Sequence, residues 1–404
     1  MEPISVLIVD DSALMRSLIG KIVEATPELR IADKAMNGRF ALQKIGRSKP
    51  DVIVLDIEMP EMNGIEFLKE RKKLGIDIPV IILSSVAKEG AKVTMDCLDL
   101  GASDFVTKPS GSESANLHAV AKQLSELLVG YGGQYQLKKI AGTARRLPEE
   151  LLKTYESHMA DVERIRTDPR LPAETLHHTD SISPSTLAAL ASRHPSASPA
   201  SPAALIKPIP ARKPGPIEII AIGISTGGPE VFSKLDPSLG QPIVVVQHMP
   251  AGFTEEFANS LNRICPLEVK EAKEGDLVKP GRILIAPGDK HLEVEKRALG
   301  TIAHLSDAPP RNGHRPSADV LFESIRKEYQ NRALGIIMTG MGRDGAVKLA
   351  ELFAEGSRTL GQDEASSIVY GMPRVAWELG GVMEQVPLDA MADTINRYAR
   401  EFGI

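Results

Sequence analysis

Ile217-Glu218-Ile219-Ile220-Ala221-Ile222-Gly223-Ile224-Ser225-Thr226-Gly227-Gly228-Pro229 runs from an apolar segment through a Gly/Ser turn to a proline. The β-branched content of the first half, without polar alternation, predicts a strand covered on both faces, which is the habit of parallel sheets. Pro229 suits the first turn of a following helix through Val231 and Leu235. A strand, a tight turn and a helix in this order place the segment in an α/β domain. The turn also holds a serine between glycines, expected to be exposed beside unpaired backbone N–H groups, as a nucleophile beside an oxyanion site requires. A tight turn or a phosphate cradle has the same local appearance, so the chemistry rests on partners for Ser225.

The rest of the chain sets bounds on that reading. Its 404 residues allow two or three domains, and 25% charged with 42% apolar residues is ordinary for a soluble protein. A formal net charge of -5 makes no electrostatic case for nucleic acid or an anionic membrane surface. With only Cys97 and Cys265 there is no disulfide framework. No basic-apolar leader opens the chain and no apolar run approaches the roughly 18 residues of a membrane span. The expected location is the cytoplasm.

Residues 1–130 alternate apolar strands with helical patterns. Strands at Ile4–Val9, Asp51–Leu55, Pro79–Leu83 and Asp104–Val106 end in Asp10-Asp11, Asp56, Ser84-Ser85 and Thr107-Lys108-Pro109. A helix with Leu14, Leu18 and Ile22 toward the core follows the first strand. Open parallel sheets bind ligands beyond the C-terminal ends of their strands. Asp10, Asp11 and Asp56 therefore gather three carboxylates that call for a hard cation, and Mg²⁺ fits. Ser84 and Lys108 face the same crevice and suit an anion held by that metal. This pattern resembles the receiver domain of bacterial two-component response regulators, a doubly wound, flavodoxin-like fold. The resemblance implies that Asp56 accepts a phosphoryl group from a histidine kinase, with Asp10, Asp11 and Asp56 around Mg²⁺. It also implies that Ser84 and Lys108 contact the phosphoryl oxygens and that Phe105 is the switch aromatic. The loops Glu58-Met59-Pro60-Glu61-Met62-Asn63-Gly64 and Gly101-Ala102 agree with it.

Residues 131–216 read as a linker. Residues 148–166 carry an amphipathic helical pattern, with Leu151, Leu152, Tyr155, Met159 and Val162 on one face. Eight prolines between Ser181 and Pro216, among Ala and Ser, predict a semi-extended tether. His177, His178 and His194 fall here and read as solvated.

Residues 217–404 supply the partners. Ile243–Val246 delivers Gln247-His248-Met249-Pro250, and Leu334–Met338 ends in Thr339-Gly340-Met341-Gly342-Arg343-Asp344-Gly345. Ser225, His248 and Asp344 thus leave three apolar strands, whose ends lie side by side in a parallel sheet. A Ser-His-Asp relay uses this set, with His248 as base and Asp344 fixing its tautomer. His291, His314, Asp289 and Asp319 are rival partners of second rank. The α/β-hydrolase chain order is Ser, acid, His, which this chain does not follow. In a dinucleotide site, Ser225 stands where the second glycine belongs.

The segments Gly-x-Ser-Thr-Gly-Gly-Pro, Gln-His-Met-Pro, Gly-Met-Gly-Arg-Asp-Gly and Tyr-Gly-Met-Pro, behind a receiver, resemble the protein-glutamate methylesterases of bacterial chemotaxis. Ala286–His291 and His314–Asp319 agree. The resemblance implies a Rossmann-like α/β catalytic domain with a mainly parallel sheet and a Ser225, His248, Asp344 triad. It also implies that Thr226 flanks the nucleophile in support of the site and that the main chain of Met341 binds the oxyanion. It implies hydrolysis of glutamate methyl esters on chemoreceptors, with deamidation of receptor glutamines in many members. Ester hydrolysis needs no metal, so Mg²⁺ serves the receiver alone. Ile224 departs from the family's usual alanine, and the linker is longer than the family's short one. The resemblance further implies that the unphosphorylated receiver covers the esterase mouth, and the longer tether predicts leakier inhibition. The alternative is a non-enzymatic regulator whose C-terminal domain docks on receptors; a DNA-binding output lacks a basic recognition helix.

Overall fold

Apolar runs too uniform to alternate become the interior strands of two parallel sheets. The computed structural model describes residues 2–85, 88–108, 114–145, 212–227 and 229–403. The helical pattern at 148–166 and His177, His178 and His194 lie outside the described residues.

The first sheet is built from β1 (Ile4–Val9), β2 (Leu29–Ala35), β3 (Val52–Asp56), β4 (Val80–Ser84) and β5 (Asp104–Thr107), in the order β2-β1-β3-β4-β5. All its pairings are parallel. Helices α1 (Ala13–Glu24), α2 (Gly38–Ser48), α3 (Gly64–Lys73) and α4 (Lys88–Asp99) make the crossovers, and α5 (Ser114–Ile140) follows the last strand. The edge strand β2, mixed in character, is the one the apolar-run criterion passes over.

Two expectations shift. On α1 the buried positions are Ile19, Gly20 and Val23, while Leu14 is 65% exposed. Two neighbouring i, i+4 rows are both apolar there. The Ser12 cap, whose side chain accepts from Met15 N–H, pins the row one residue later. The boundary expected at residue 130 falls inside α5. Gly130-Tyr131-Gly132-Gly133 has the composition of a helix stop. A Cβ on Gly132, however, lies 2.3 Å from Ile4 Cγ2, so its small size serves close packing of α5 on β1. Beyond it, Tyr135 bonds Asp77 and Lys139 bonds Asp51.

The second sheet comprises β6 (Ile219–Ile224), β7 (Ile243–Gln247), β8 (Glu268–Glu271), β9 (Arg282–Ile285), β12 (Ala333–Ile337), β13 (Arg358–Gln362) and β14 (Glu384–Val386). Its order is β14-β13-β12-β6-β7-β9-β8, again all parallel. A separate antiparallel hairpin joins β10 (His291–Arg297) and β11 (Gly300–Ser306). β6 is the first strand and sits centrally, so the winding direction reverses beside it. One apolar cluster runs from Phe67 and Phe105 in the first domain to Phe232 and Phe253 in the second. The two domains share a core at their contact.

Candidate active site

β6 pairs with β12 on one side and β7 on the other. The loops leaving their C-terminal ends carry Ser225, Asp344 and His248, and all three open at the point where the sheet's winding reverses.

The Ser225 loop hangs from the neighbouring strand. The N–H groups of Ser225 and Thr226 both donate to the Thr339 carbonyl, at 3.1 and 3.3 Å. This corrects the expectation of unpaired amides beside the serine, which is half-buried rather than exposed. The Thr226 and Thr339 hydroxyls meet at 3.1 Å, and Thr339 N–H donates to Gln362 Oε1 at 3.0 Å. Gln247 Nε2 donates to the Ser225 carbonyl at 2.7 Å. At Gly340 a Cβ falls 2.7 Å from Ser225 Cβ and 2.3 Å from Met372 Sδ, so glycine alone permits this approach. The Met341 N–H finds no acceptor among the described residues, and Met341 lines the same cavity as Ser225. Of the two expected oxyanion supports, Met341 has the available amide, whereas Thr226 braces the loop.

His248 and Asp344 meet through Nε2 and Oδ2 at 2.9 Å, with side chains 6% and 0% exposed. Asp344 also accepts from Ser317 Oγ at 2.6 Å, Asn312 Nδ2 at 3.1 Å and the Ala318 N–H at 2.6 Å. Ala318 opens the helix Ala318–Tyr329, so the carboxylate lies at a positive helix end. Burial by itself pushes this carboxyl up. The bond and charge of His248, with the Ser317 and Asn312 donors, hold it well below the usual carboxylate range. The remaining ring nitrogen, His248 Nδ1, is buried with no hydrogen-bond partner.

The rivals separate. His291 is spent structurally: Nε2 meets the Pro309 carbonyl at 3.2 Å and Nδ1 accepts from Ser317 N–H at 3.2 Å. Asp289 pairs with Arg315, and Asp319 accepts from Lys348 N–H and Asn312. His314 lies against the site, its ring stacked on His248. Asn312, Ser317 and Thr339 are participants the sequence reading passed over; Asn312-Gly313 is the one with a local signal, a turn dipeptide.

In the first domain Asp10, Asp11 and Asp56 each place a carboxylate oxygen within 4.8 Å of the others. Lys108 Nζ donates to Asp56 Oδ1 at 2.7 Å and lies 3.9 Å from Asp10 Oδ2. Burial, then the charge of Asp56, pushes the Asp10 carboxyl up to about 6. Ser84 is not brought to this cluster. Its buried hydroxyl lies 2.5 Å from Thr94 Oγ1, and Ser85 lines the crevice beside Asp56 instead.

Family comparisons agree in both halves. The profile of the response regulator receiver domain matches residues 6–121, and that of the CheB methylesterase matches residues 220–395. The chain is similar to the protein-glutamate methylesterase/protein-glutamine glutaminase of Treponema denticola, 62% identical over 100% of both chains. It belongs to that family. The Treponema pallidum protein of the same name is 57% identical over 99% of this chain and 98% of its own. The crystal structure of the Thermotoga maritima CheB methylesterase catalytic domain is 34% identical, covering 45% of this chain and 98% of that one, with a TM-score of 0.43. Membership makes the chain an enzyme, a hydrolase of the methylesterase class behind a receiver domain, and removes the non-enzymatic alternative.

In this member of the methylesterase family the receiver faces the Ser225 cavity. That cavity, about 480 Å³, is walled by Asp104, Phe105 and Leu127 of the receiver and by Ser225, His248 and Met341 opposite. Phe105 stacks on Phe253, Asp99 accepts from Ser260 Oγ and Arg263 Nη2, and Gln134 Nε2 donates to the Ser367 carbonyl at 3.1 Å. Burial pushes the Asp104 carboxyl up to about 7, despite donors at Phe105 N–H and Tyr131 Oη. No helix among the described residues is long and apolar enough to cross a membrane.

Proposed function

We propose that the chain hydrolyses methyl esters of glutamate side chains on chemoreceptors, and deamidates receptor glutamines, under control of phosphorylation at Asp56 in the cytoplasm. The observation that carries the catalytic half is the Asp344-bound imidazole of His248, whose buried Nδ1 is left without a partner in the cavity that Ser225 lines. With Nε2–H donating to Asp344, Nδ1 is the basic nitrogen of that tautomer.

Ser225 Oγ attacks the ester carbonyl carbon while its proton passes to His248 Nδ1. The carbonyl oxygen becomes an oxyanion beside the free Met341 N–H. The C–OCH₃ bond breaks, and the methoxy oxygen leaves as methanol with the proton from His248. Water then attacks the acyl-serine, giving its proton to His248, and Ser225 is regenerated as the carboxyl product leaves. A glutamine side chain follows the same course with ammonia as the leaving group. Thr226 keeps the serine loop pinned to Thr339 throughout.

In the receiver, Asp10, Asp11 and Asp56 suit Mg²⁺. The fit rests on Asp10 Oδ2, a buried carboxylate oxygen without a hydrogen-bond partner, beside two further carboxylates. Bound there, Mg²⁺ neutralises carboxylate and phosphoryl charge. Asp56 accepts the phosphoryl group from a histidine kinase, and Lys108 pairs with its oxygens. Ser84 reaches them only after giving up Thr94, which makes its rotation part of the switch.

Mass spectrometry of methylated receptor incubated with the chain, with and without Mg²⁺ and a phosphodonor, tests both halves. Loss of methyl groups, faster with phosphodonor, is expected. Unchanged receptor under every condition overturns the reading.

A further inference from the structure

The turn Arg311-Asn312-Gly313-His314 belongs to none of the three strand-end loops, yet it touches two of their residues. Arg311 and His314 exchange backbone hydrogen bonds in both directions, each 3.0 Å. The two residues between them have positive φ, 53° at Asn312 and 82° at Gly313. This is the type I′ pattern, which Asn-Gly adopts with least strain. From this tight frame Asn312 Nδ2 donates to Asp344 Oδ1 and, at 2.6 Å, to Asp319 Oδ2. His314 lays its ring on that of His248, with centroids 3.9 Å apart and planes within 3°.

The hydrogen bonding of the His248 ring leaves a degree of freedom open. A single bond from Nε2 to Asp344 fixes one point of the imidazole, and Nδ1 has no partner to fix a second. Tilting of the ring about that bond changes where Nδ1 points within the cavity that Ser225 also lines. A flat surface at van der Waals distance removes this freedom. Such a surface serves a base only if it carries no charge, because a cation there opposes the imidazolium that His248 becomes. Burial, then the neighbouring His248, pushes His314 down to about 4, so its ring is neutral near pH 7. The nearby guanidinium groups are engaged elsewhere, Arg311 with Glu323 and Arg315 with Asp289.

We infer that His314 is a positioning residue: its ring fixes the plane of the His248 imidazole, and the Asn312-Gly313 turn holds that ring in place. The inference rests on the proposed roles of Ser225 and His248. It assigns His314 no proton transfer and no contact with substrate.

The test compares His314→Phe, which keeps a flat uncharged face, with His314→Leu, which fills the space without one. Both are made in the full-length chain and assayed for methanol release from methylated receptor, with Mg²⁺ and phosphodonor present. The phenylalanine variant is expected to keep kcat within a few-fold. The leucine variant is expected to lose kcat on the order of 10²-fold at unchanged KM, the scale of a small misplacement of a reacting group. Should His314→Leu fail to fold, His314→Gln, polar and ringless, replaces it in the comparison. Equal kcat in the ringed and ringless variants overturns the inference, whether both keep activity or both lose it. Ser225→Ala in the same assay separates the two readings. If that variant is active, the triad itself fails; if it is dead while His314→Leu runs at full rate, only the platform fails.

Discussion

The ring of Phe105 in the receiver lies on the ring of Phe253 in the catalytic domain, centroids 5.0 Å apart and planes 10° from parallel. Phe253 opens the helix Phe253–Ile264, which follows the His248 loop, so Phe105, the proposed switch aromatic, is one short segment away from the proposed base. A receiver that repacks around Phe105 therefore disturbs a surface shared with the catalytic domain, without any longer relay.

The rim of this contact can be adjusted without touching either core. Asp99 on the receiver takes 2.7 and 2.6 Å hydrogen bonds from Ser260 and Arg263, and Arg263 is exposed. Arg263→Glu sets two like charges face to face. Exposed pairs are worth about 0.2–1 kcal/mol, so basal ester hydrolysis is expected to rise by up to roughly fivefold. Adding Asp99→Arg is expected to restore the low basal rate. Unchanged basal activity in the single variant would mean that this contact does not restrain the enzyme.

Ser225→Ala is expected to abolish hydrolysis, with a loss on the order of 10⁴-fold or more in kcat, and to leave the fold intact. His248→Ala follows it closely. Asp344→Asn costs more than tautomer control alone suggests, because Asp344 is also the acceptor for Ser317, Asn312 and the Ala318 amide. Its thermal midpoint is expected to fall as well as its rate, and calorimetry beside the activity assay checks both.

Asp10 links Mg²⁺ to pH. Its carboxyl is raised from 3.8 to about 6, so the folded receiver holds a proton that the unfolded chain releases earlier. That contribution to stability is complete below the unfolded value and is lost as pH rises through about 6. Mg²⁺ takes the proton's place, and its effect on the thermal midpoint is expected to be larger near pH 7.5 than near pH 5. Equal shifts at both would remove Asp10 from the ligand set.

Asp104 gives the domain contact a pH dependence of the same sign. Burial raises it from 3.8 to about 7, with Tyr131 Oη and the Phe105 and Gly227 N–H groups facing it. The docked state favours the protonated carboxyl, so docking is complete at low pH and weakens as pH rises through about 7. The basal rate of the native chain relative to Asp104→Asn is expected to climb between about pH 6 and pH 8. A ratio that stays flat sinks this account.

Much of the site was legible because parallel strands end on one edge. Once Ser225, His248 and Asp344 are read at the ends of apolar runs, the fold needs only to make those runs neighbours, and β7-β6-β12 does so. What depends on one loop crossing another was not legible. Thr339 claims the Ser225 and Thr226 amides, and Ser317 and Asn312 reach Asp344 from more than 25 residues away. Side-chain rotation is hidden for a similar reason. Ser84 sits at the expected strand end, but its bond to Thr94 is decided by how α4 packs. The length of α5 was hidden too, because Gly130 and Gly132 have the composition of a helix stop yet serve close packing.

The serine loop hangs from Thr339, and Thr339 in turn is held by Gln362 and by Val369, whose N–H donates to the threonine hydroxyl. The receiver's elements are complete by Ile140, far upstream. On a ribosome, where N-terminal domains fold first, the receiver is assembled before the last supports of the site have emerged. The receiver is thus made ahead of the domain it is proposed to restrain, and a chain interrupted before Val369 carries Ser225 without the contacts that hold its loop. A partly made molecule is, by this order of synthesis, a silent one.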